Sequence, residues 1–323
     1  MHISTKILGA AAAVAFLSAG AVSSAQAQSD WPNKTITWIV PFGAGGGTDR
    51  WSRIMSSSAP DHFDGHGWHV RNRPGGSGIA GWKALLDSPA DGHTILMNSS
   101  TPVIALALET KPAIDPAKDI KICAFVSSFR SYVMALKDSK YQSVDDVVKA
   151  SKAGEQITLA GTQSHLLGQA NFWSQLGANL TYVSYDGTGQ AMADFLGGHV
   201  DLGAGTGTVA AGFAPAQAVV LANTSDLGNP EGMTELVGSE TPAASEFGVD
   251  GLSFPRWVGV HPDTPDAICK QISDSVGSLL KDKSVLSLVE RINEEVIFSP
   301  MDEAQKKYTA GVKKFTNAAS LLQ

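Results

Sequence analysis

The sequence predicts an α/β protein of two lobes, built on mainly parallel sheets with a cleft between the lobes. Three observations carry that expectation. Short β-branched runs alternate with helical segments along almost the whole chain, the pattern of strand–helix–strand units. Polar glycine loops follow several of the expected strands, where ligands of such sheets sit. The part of the 323-residue chain that follows an N-terminal leader is roughly 295 residues long, more than one ordinary core holds.

The leader comes first. Lys6 supplies a short positive region, residues 7–22 are apolar and alanine-rich, and Ala25-Gln26-Ala27 is a small-x-small cleavage signal. This reads as a secretory signal peptide over residues 1–27, cleaved near Ala27, because its apolar core is short for a membrane anchor. A lipoprotein would need a cysteine at the cleavage point, where Gln28 stands. The expected location is therefore the periplasm.

Strands are expected over residues 35–40, 68–72, 94–98, 120–126, 132–136, 157–160, 181–185, 200–202, 219–222 and 257–260. Each is a short run rich in apolar or β-branched residues. Helices lie between them, with chemistry that starts and stops them. Residues 79–86 follow a glycine loop. Ser143 precedes a segment with Asp145 and Asp146 in its first turn, and Gly154 closes it. Residues 165–176 end at Gly177, and residues 188–196 end at Gly197-Gly198. Beyond residue 260 only helices follow. Pro265 opens one with Ile268, Ile272, Val276 and Leu279 on a common face; residues 284–293 and 302–321 are next. These helices cannot bury their apolar stripes alone, so they should pack back on the first sheet. The expected division is residues 28–124 with 254–323 in lobe one, and residues 125–253 in lobe two.

The formal net charge of −7 becomes about −8 once Lys6 is lost with the leader, an ordinary acidity for a soluble domain. No basic run and no arginine–aromatic interleaving points to nucleic acid. Cys123 and Cys269 each lie in an apolar context, which favours buried free thiols, although export permits a disulfide. Neither has a second ligand at metal spacing. His62, His66 and His69 read as solvated loop residues rather than a loose metal cluster. Trp51, Trp82 and Trp173 sit at core-like helical positions, with an aromatic ligand slot as the alternative.

The candidate site begins at residues 36–49. An apolar strand runs to Pro41, Gly43, Gly45, Gly46 and Gly47 make the loop, and Thr48-Asp49 opens a helix. Such a loop turns backbone N–H groups toward one point at the positive end of a helix and can hold an anion without a charged side chain. It lacks the third glycine of a dinucleotide fingerprint and the Gly-Lys-Ser/Thr of a P-loop. A small carboxylate fits better, and no cofactor is expected; a tight turn that binds nothing is the alternative. Further polar loops at residues 72–78, 161–165 and 186–189, and more weakly 98–101, would converge on the same cleft.

At these loops the chain resembles the Bug family, the periplasmic substrate-binding proteins of tripartite tricarboxylate transporters. The motifs occur in family order over essentially the whole exported chain. They are Trp31-Pro-Asn-Lys34, Val40-Pro-Phe-x-x-Gly-Gly-x-x-Asp49, Asn72-Arg-Pro-Gly75 and Gly78-Ile79-x-Gly81. Next come Ala90-Asp-Gly-x-Thr-Ile-Leu96, Ser164-His-Leu166, Tyr185-x-Gly187 and Leu196-x-Gly-x-Val-Asp201. Thr241-Pro242, Glu246-x-Gly248 and Thr264-Pro265 complete the series. The resemblance implies a two-lobed periplasmic-binding-protein fold that closes on a small carboxylic acid and hands it to an inner-membrane permease, acting as a monomer. It places Phe42, Gly43, Ala44, Gly45, Gly46 and Asp49 on one jaw, and Ser164, Tyr185 and Gly187 on the other. Thr48, Ser77, Gly78, Ser99, Thr162, His165 and Thr188 join them as neighbours in the same loops.

Three departures mark this chain. Asp186 stands where the family commonly carries Lys or Arg; it would repel a second anionic group and suit an ammonium or hydroxyl, unless it is only a turn residue. The loop at residues 161–165 is about two residues shorter than usual. Arg130 replaces an uncharged residue and is either an anchor for a distal carboxylate or an ordinary surface arginine. The rival class is an exported α/β hydrolase-like enzyme acting on a small carboxylate or ester. Its motifs are missing: Gly75-Gly-Ser77-Gly-Ile79 lacks the last glycine of a nucleophile elbow, and Ser164-His165 are sequence neighbours, which is no base-nucleophile geometry. The chain is expected not to be an enzyme.

Overall fold

The computed structural model describes residues 30–322 except Pro215. The leader and its cleavage signal lie outside the described residues. Two mixed five-stranded sheets organise the chain. The first has the order β2-β1-β3-β10-β4, made of β1 (Ile36–Val40), β2 (Trp68–Asn72), β3 (Thr94–Ser99), β4 (Lys121–Phe129) and β10 (Phe254–Val260). The second has the order β7-β6-β8-β5-β9, made of β5 (Tyr132–Leu136), β6 (Thr158–Gly161), β7 (Thr181–Ser184), β8 (Leu202–Gly205) and β9 (Ala218–Asn223).

Every strand expected from the sequence is present. The sheets are less purely parallel than their alternation suggested. Strand β10 runs antiparallel to both β3 and β4, and β5 antiparallel to both β8 and β9. Neither strand follows a crossover helix in its own sheet: each enters from the other sheet and is free to run the opposite way.

Strand β4 stays in the first sheet until Phe129, and Arg130-Ser131 carry the chain into β5. It returns to the first sheet at Phe254. Helices cover the sheet faces. Around the first sheet are α1 (Gly47–Ser56), α2 (Ala59–His62), α3 (Ile79–Leu86) and α4 (Thr101–Ala107). Around the second are α5 (Val144–Lys152), α6 (Gln163–Gln175), α7 (Thr188–Leu196), α8 (Gly207–Phe213) and α9 (Met233–Val237). The C-terminal helices are α10 (Asp266–Leu279), α11 (Lys283–Arg291) and α12 (Met301–Ala318). Helix α5 begins as its sequence requires, with Ser143 Oγ accepting the Asp146 N–H at 3.2 Å.

The C-terminal helices do pack on the first sheet. On one face, Ile272, Val276 and Leu279 of α10 join Trp38, Met97 and Val126. On the other, Tyr308 and Phe315 of α12 join Trp82, Trp257 and Phe254. Cys123 of β4 and Cys269 of α10 are bonded to each other rather than free. Strand and helix bring the two buried thiols together, which neither local context could show. Trp51, Trp82 and Trp173 are all fully buried core residues. No described helix is long and apolar enough to cross a membrane.

Candidate functional site

Between the two sheets lies one cavity of about 410 Å³. Strand β1 ends at Val40 and the chain turns through Phe42–Gly46 into α1. Helix α1 has no side-chain cap, so the N–H groups of its first turn have no intrahelical partner. Gly46, Gly47 and Thr48 line the cavity with those groups, beside Gly43 and Ala44. The macrodipole of this ten-residue helix adds a partial positive charge there.

Asp49 has a different task from the one its position suggested. Its carboxylate is buried and spent inside the loop. Oδ2 accepts the Gly45 N–H at 2.8 Å, Oδ1 accepts the Asn72 amide at 2.9 Å, and both face the Arg53 Nε at 3.0–3.1 Å. Burial alone would raise this carboxyl, but Arg53, Gly45 and Asn72 together hold it below the ordinary aspartate value. Asp49 thus braces the loop, and Gly45, whose φ is +80° and whose N–H is already given, shapes it without lining the cavity. Gly78 likewise acts from behind: at φ +99° it leaves room for the Phe42 ring, which a Cβ would meet at 3.3 Å.

The second sheet closes the cavity with the starts of two further helices. Thr162 precedes α6 and Gly187 precedes α7. Thr162 and His165 form one wall, and Asp186, Gly187, Thr188, Gly189 and Gln190 form another. Ser99, Thr101 and Thr206 add hydroxyls, and Phe42, Pro74 and Phe129 add apolar surface. Ser164 is buried behind this wall, its Oγ 2.8 Å from Thr101 Oγ1. His165 is equally buried. Its Nδ1 lies 3.1 Å from Ser131 Oγ, in a network with Gln169 and Thr224. Burial pushes the imidazole down to about 3, and the nearby Arg256 charge acts in the same direction, so His165 is neutral at ordinary pH.

Other expected residues stand elsewhere. Tyr185 gives its hydroxyl to Asp194 and does not line the cavity. Arg130 is buried rather than an ordinary surface arginine; it does not line the cavity, and Glu295 at 2.6 Å and the Gly228 carbonyl take its guanidinium. Ser77 contributes its backbone, giving its N–H to Asp186 Oδ1 at 2.9 Å. That bond joins a loop of the first sheet to a loop of the second beside the cavity. His62 pairs with Asp282 at 2.8 Å, and no group of three or more metal-ligating side chains forms among the described residues.

Arg256 is the side chain sequence reasoning missed. It lies on β10, lines the cavity, and is 1% exposed. Glu294, whose side chain is 6% exposed, takes both terminal nitrogens, and Ser127 Oγ accepts at 3.0 Å. The guanidinium stacks over Phe129 at 4.8 Å. The signal was present: one charged residue inside the apolar run Phe254-Pro-Arg-Trp-Val-Gly-Val260. Thr206 was missed too, although Gly205-Thr-Gly-Thr208 repeats the polar glycine pattern after a strand.

Fold and cavity together are those of a two-lobed solute-binding protein. Residues 65–314 match the tripartite tricarboxylate transporter family receptor, and the chain belongs to that family. It is similar to protein BugT of Bordetella pertussis, at 32% identity over 193 residues, which span 57% of this chain and 58% of BugT. Its fold is shared by the periplasmic binding protein BugD, with a TM-score of 0.78 at 23% identity over 90% of this chain and 99% of that one. An R. palustris protein solved with adipate gives a TM-score of 0.80 at 22% identity, over 91% and 98%. MatC from Rhodopseudomonas palustris, with bound malate, gives 0.74 at 18%, over 89% and 99%.

Proposed function

We propose that this protein is an exported periplasmic receptor that captures a small carboxylic acid between its lobes and delivers it to a tripartite tricarboxylate-type permease. The observation that carries this reading is the lining of the cavity between the two sheets. The first turns of α1, α6 and α7 meet there with threonine and serine hydroxyls, and the only arginine facing it among the described residues is already paired. Such a surface suits an anion held by oriented N–H groups rather than by a free cation. The family supports it, as do fold relatives that hold adipate and malate.

The receptor works as a monomer by hinge closure. The ligand carboxylate docks on the residue 43–48 loop, the lobe carrying Thr162 and Asp186–Gln190 swings in, and the closed form is presented to the permease. No chemistry on the ligand is involved. Ser164 and Ser131 are both buried, and the first is bonded to Thr101 rather than to an imidazole. A thermal-shift screen over mono-, di- and aromatic carboxylates and amino acids tests the reading. A true ligand at a hundredfold excess over its Kd stabilises by about 2.7 kcal/mol and is recovered unchanged. Stabilisation by none of these acids, or recovery of a product, refutes it.

A further inference from the structure

We infer that the cavity selects carboxylates that bring a hydrogen-bond donor, a hydroxyl or an ammonium group, to Asp186, and that it turns away dicarboxylates. This rests on the receptor reading and narrows its ligand class. The distribution of charge carries the argument. Arg256 is the only Lys or Arg that lines the cavity among the described residues, and Glu294 occupies both of its terminal nitrogens. Both side chains are buried, so Glu294 balances the guanidinium charge within the pair and leaves only the Arg256 Nε–H without a partner. His165, also on the wall, is uncharged.

Asp186 is the only acid lining the cavity among the described residues, and no described cation pairs with it. Its Oδ1 is fixed by the Ser77 N–H at 2.9 Å, while Oδ2 has no described partner. The carboxylate, exposed at the cavity wall, is oriented by that bond on the jaw opposite α1. A ligand whose first carboxylate sits on the α1 N–H groups presents its remaining polar group to that jaw. A second carboxylate there meets like charge with no cation to relieve it, whereas a hydroxyl or ammonium donates to Oδ2. Fold relatives that hold adipate or malate are therefore poor guides to this chain's preference.

Calorimetric titration with straight-chain acids of three to six carbons, as unsubstituted, hydroxy-, amino- and dicarboxylic acids matched for length, tests the inference. The wild-type protein is compared with D186N, which keeps an oxygen to accept the Ser77 N–H but loses the charge. The wild type should bind its best hydroxy or amino acid at least tenfold more tightly than the matching dicarboxylate. D186N should shrink that ratio below threefold. If ammonium is the recognised donor, amino acids lose most in D186N; if hydroxyl, hydroxy acids hold their rank while dicarboxylates gain. Equal or tighter binding of dicarboxylates by the wild type, or an unchanged ranking in D186N, overturns the selection and leaves the receptor reading standing. Binding of no carboxylate by the wild type overturns both.

Discussion

His165 and Asp49 show how single residues of this site are held in one protonation state. An unfolded histidine titrates near pH 6.5, but His165 is pushed down to about 3 by burial. Between those values the unfolded chain takes up a proton that the folded chain cannot, so stability falls as pH drops through that window, by about 1.4 kcal/mol per unit from this residue. Denaturant unfolding of the wild type and His165→Gln at pH 7, 6 and 5 should show the wild type losing its advantage toward acid; parallel profiles would show that His165 does not titrate this way. Asp49 acts lower on the scale. Its carboxyl sits below the ordinary value, so its contribution is complete above about pH 4 and disappears only as pH falls through its folded pKa. Gly47 gives a third residue-scale prediction. A Cβ there would lie 2.7 Å from an Arg256 nitrogen, and that guanidinium is wedged between Glu294 and Phe129. Gly47→Ala should weaken carboxylate binding at least tenfold in calorimetry while the far-UV circular dichroism stays unchanged.

At the scale of elements, the disulfide and the buried ion pair tie the C-terminal part to the first sheet. The link from Cys123 to Cys269 closes a loop of 146 residues, worth about 5 kcal/mol on a chain-entropy account and commonly 2–5 kcal/mol in small proteins. The double variant Cys123→Ala/Cys269→Ala should lower unfolding free energy by about 2–5 kcal/mol with ligand affinity nearly unchanged, since neither residue lines the cavity. Glu294→Gln probes the second tie. It strands a buried guanidinium, so stability should fall by about 3 kcal/mol, while carboxylate affinity rises because a charge now faces the ligand. Falling affinity would mean that Glu294 serves mainly to position Arg256. The strands and loop-led helices were legible because each announces itself locally, by β-branched runs, by Ser143, and by glycines before a helix. Arg256–Glu294 and Cys123–Cys269 were not, because each joins segments far apart in sequence, and only the docking of the C-terminal helices brings them into contact. The same holds for Asp49: its spacing marked the loop, but its role as a brace depends on Asn72, from the next strand.

Across the whole molecule, polar contacts among the described residues tie the second-sheet side to the first: Asp186 to the Ser77 N–H, Arg130 to Glu295, Thr208 to the Ile292 carbonyl, and the buried Thr101–Ser164 hydroxyl pair. None of them touches the loop at residues 43–48, so they bear on closure more than on docking. The Arg130–Glu295 pair is the clearest handle, because Glu295 is 51% exposed and its loss leaves no large cavity. Arg130 is buried, but its partner is half open to solvent and its Nε keeps the Gly228 carbonyl when Glu295 is lost, so the pair contributes about 1 kcal/mol. Glu295→Ala should therefore leave the melting temperature of the ligand-free protein nearly unchanged. It should instead shift the open–closed balance, and apparent affinity falls in proportion to the fraction of molecules able to close. A two- to fivefold rise in Kd, carried mostly by faster dissociation and weaker at high salt, is the expected outcome of stopped-flow and calorimetric titration. Small-angle scattering supplies the structural arm: ligand should shrink the radius of gyration of both proteins to the same closed value, with the variant needing more ligand to reach it. If Glu295→Ala binds like the wild type, the lobes close without this tie, and the remaining contacts, Asp186–Ser77, Thr208–Ile292 and Thr101–Ser164, suffice.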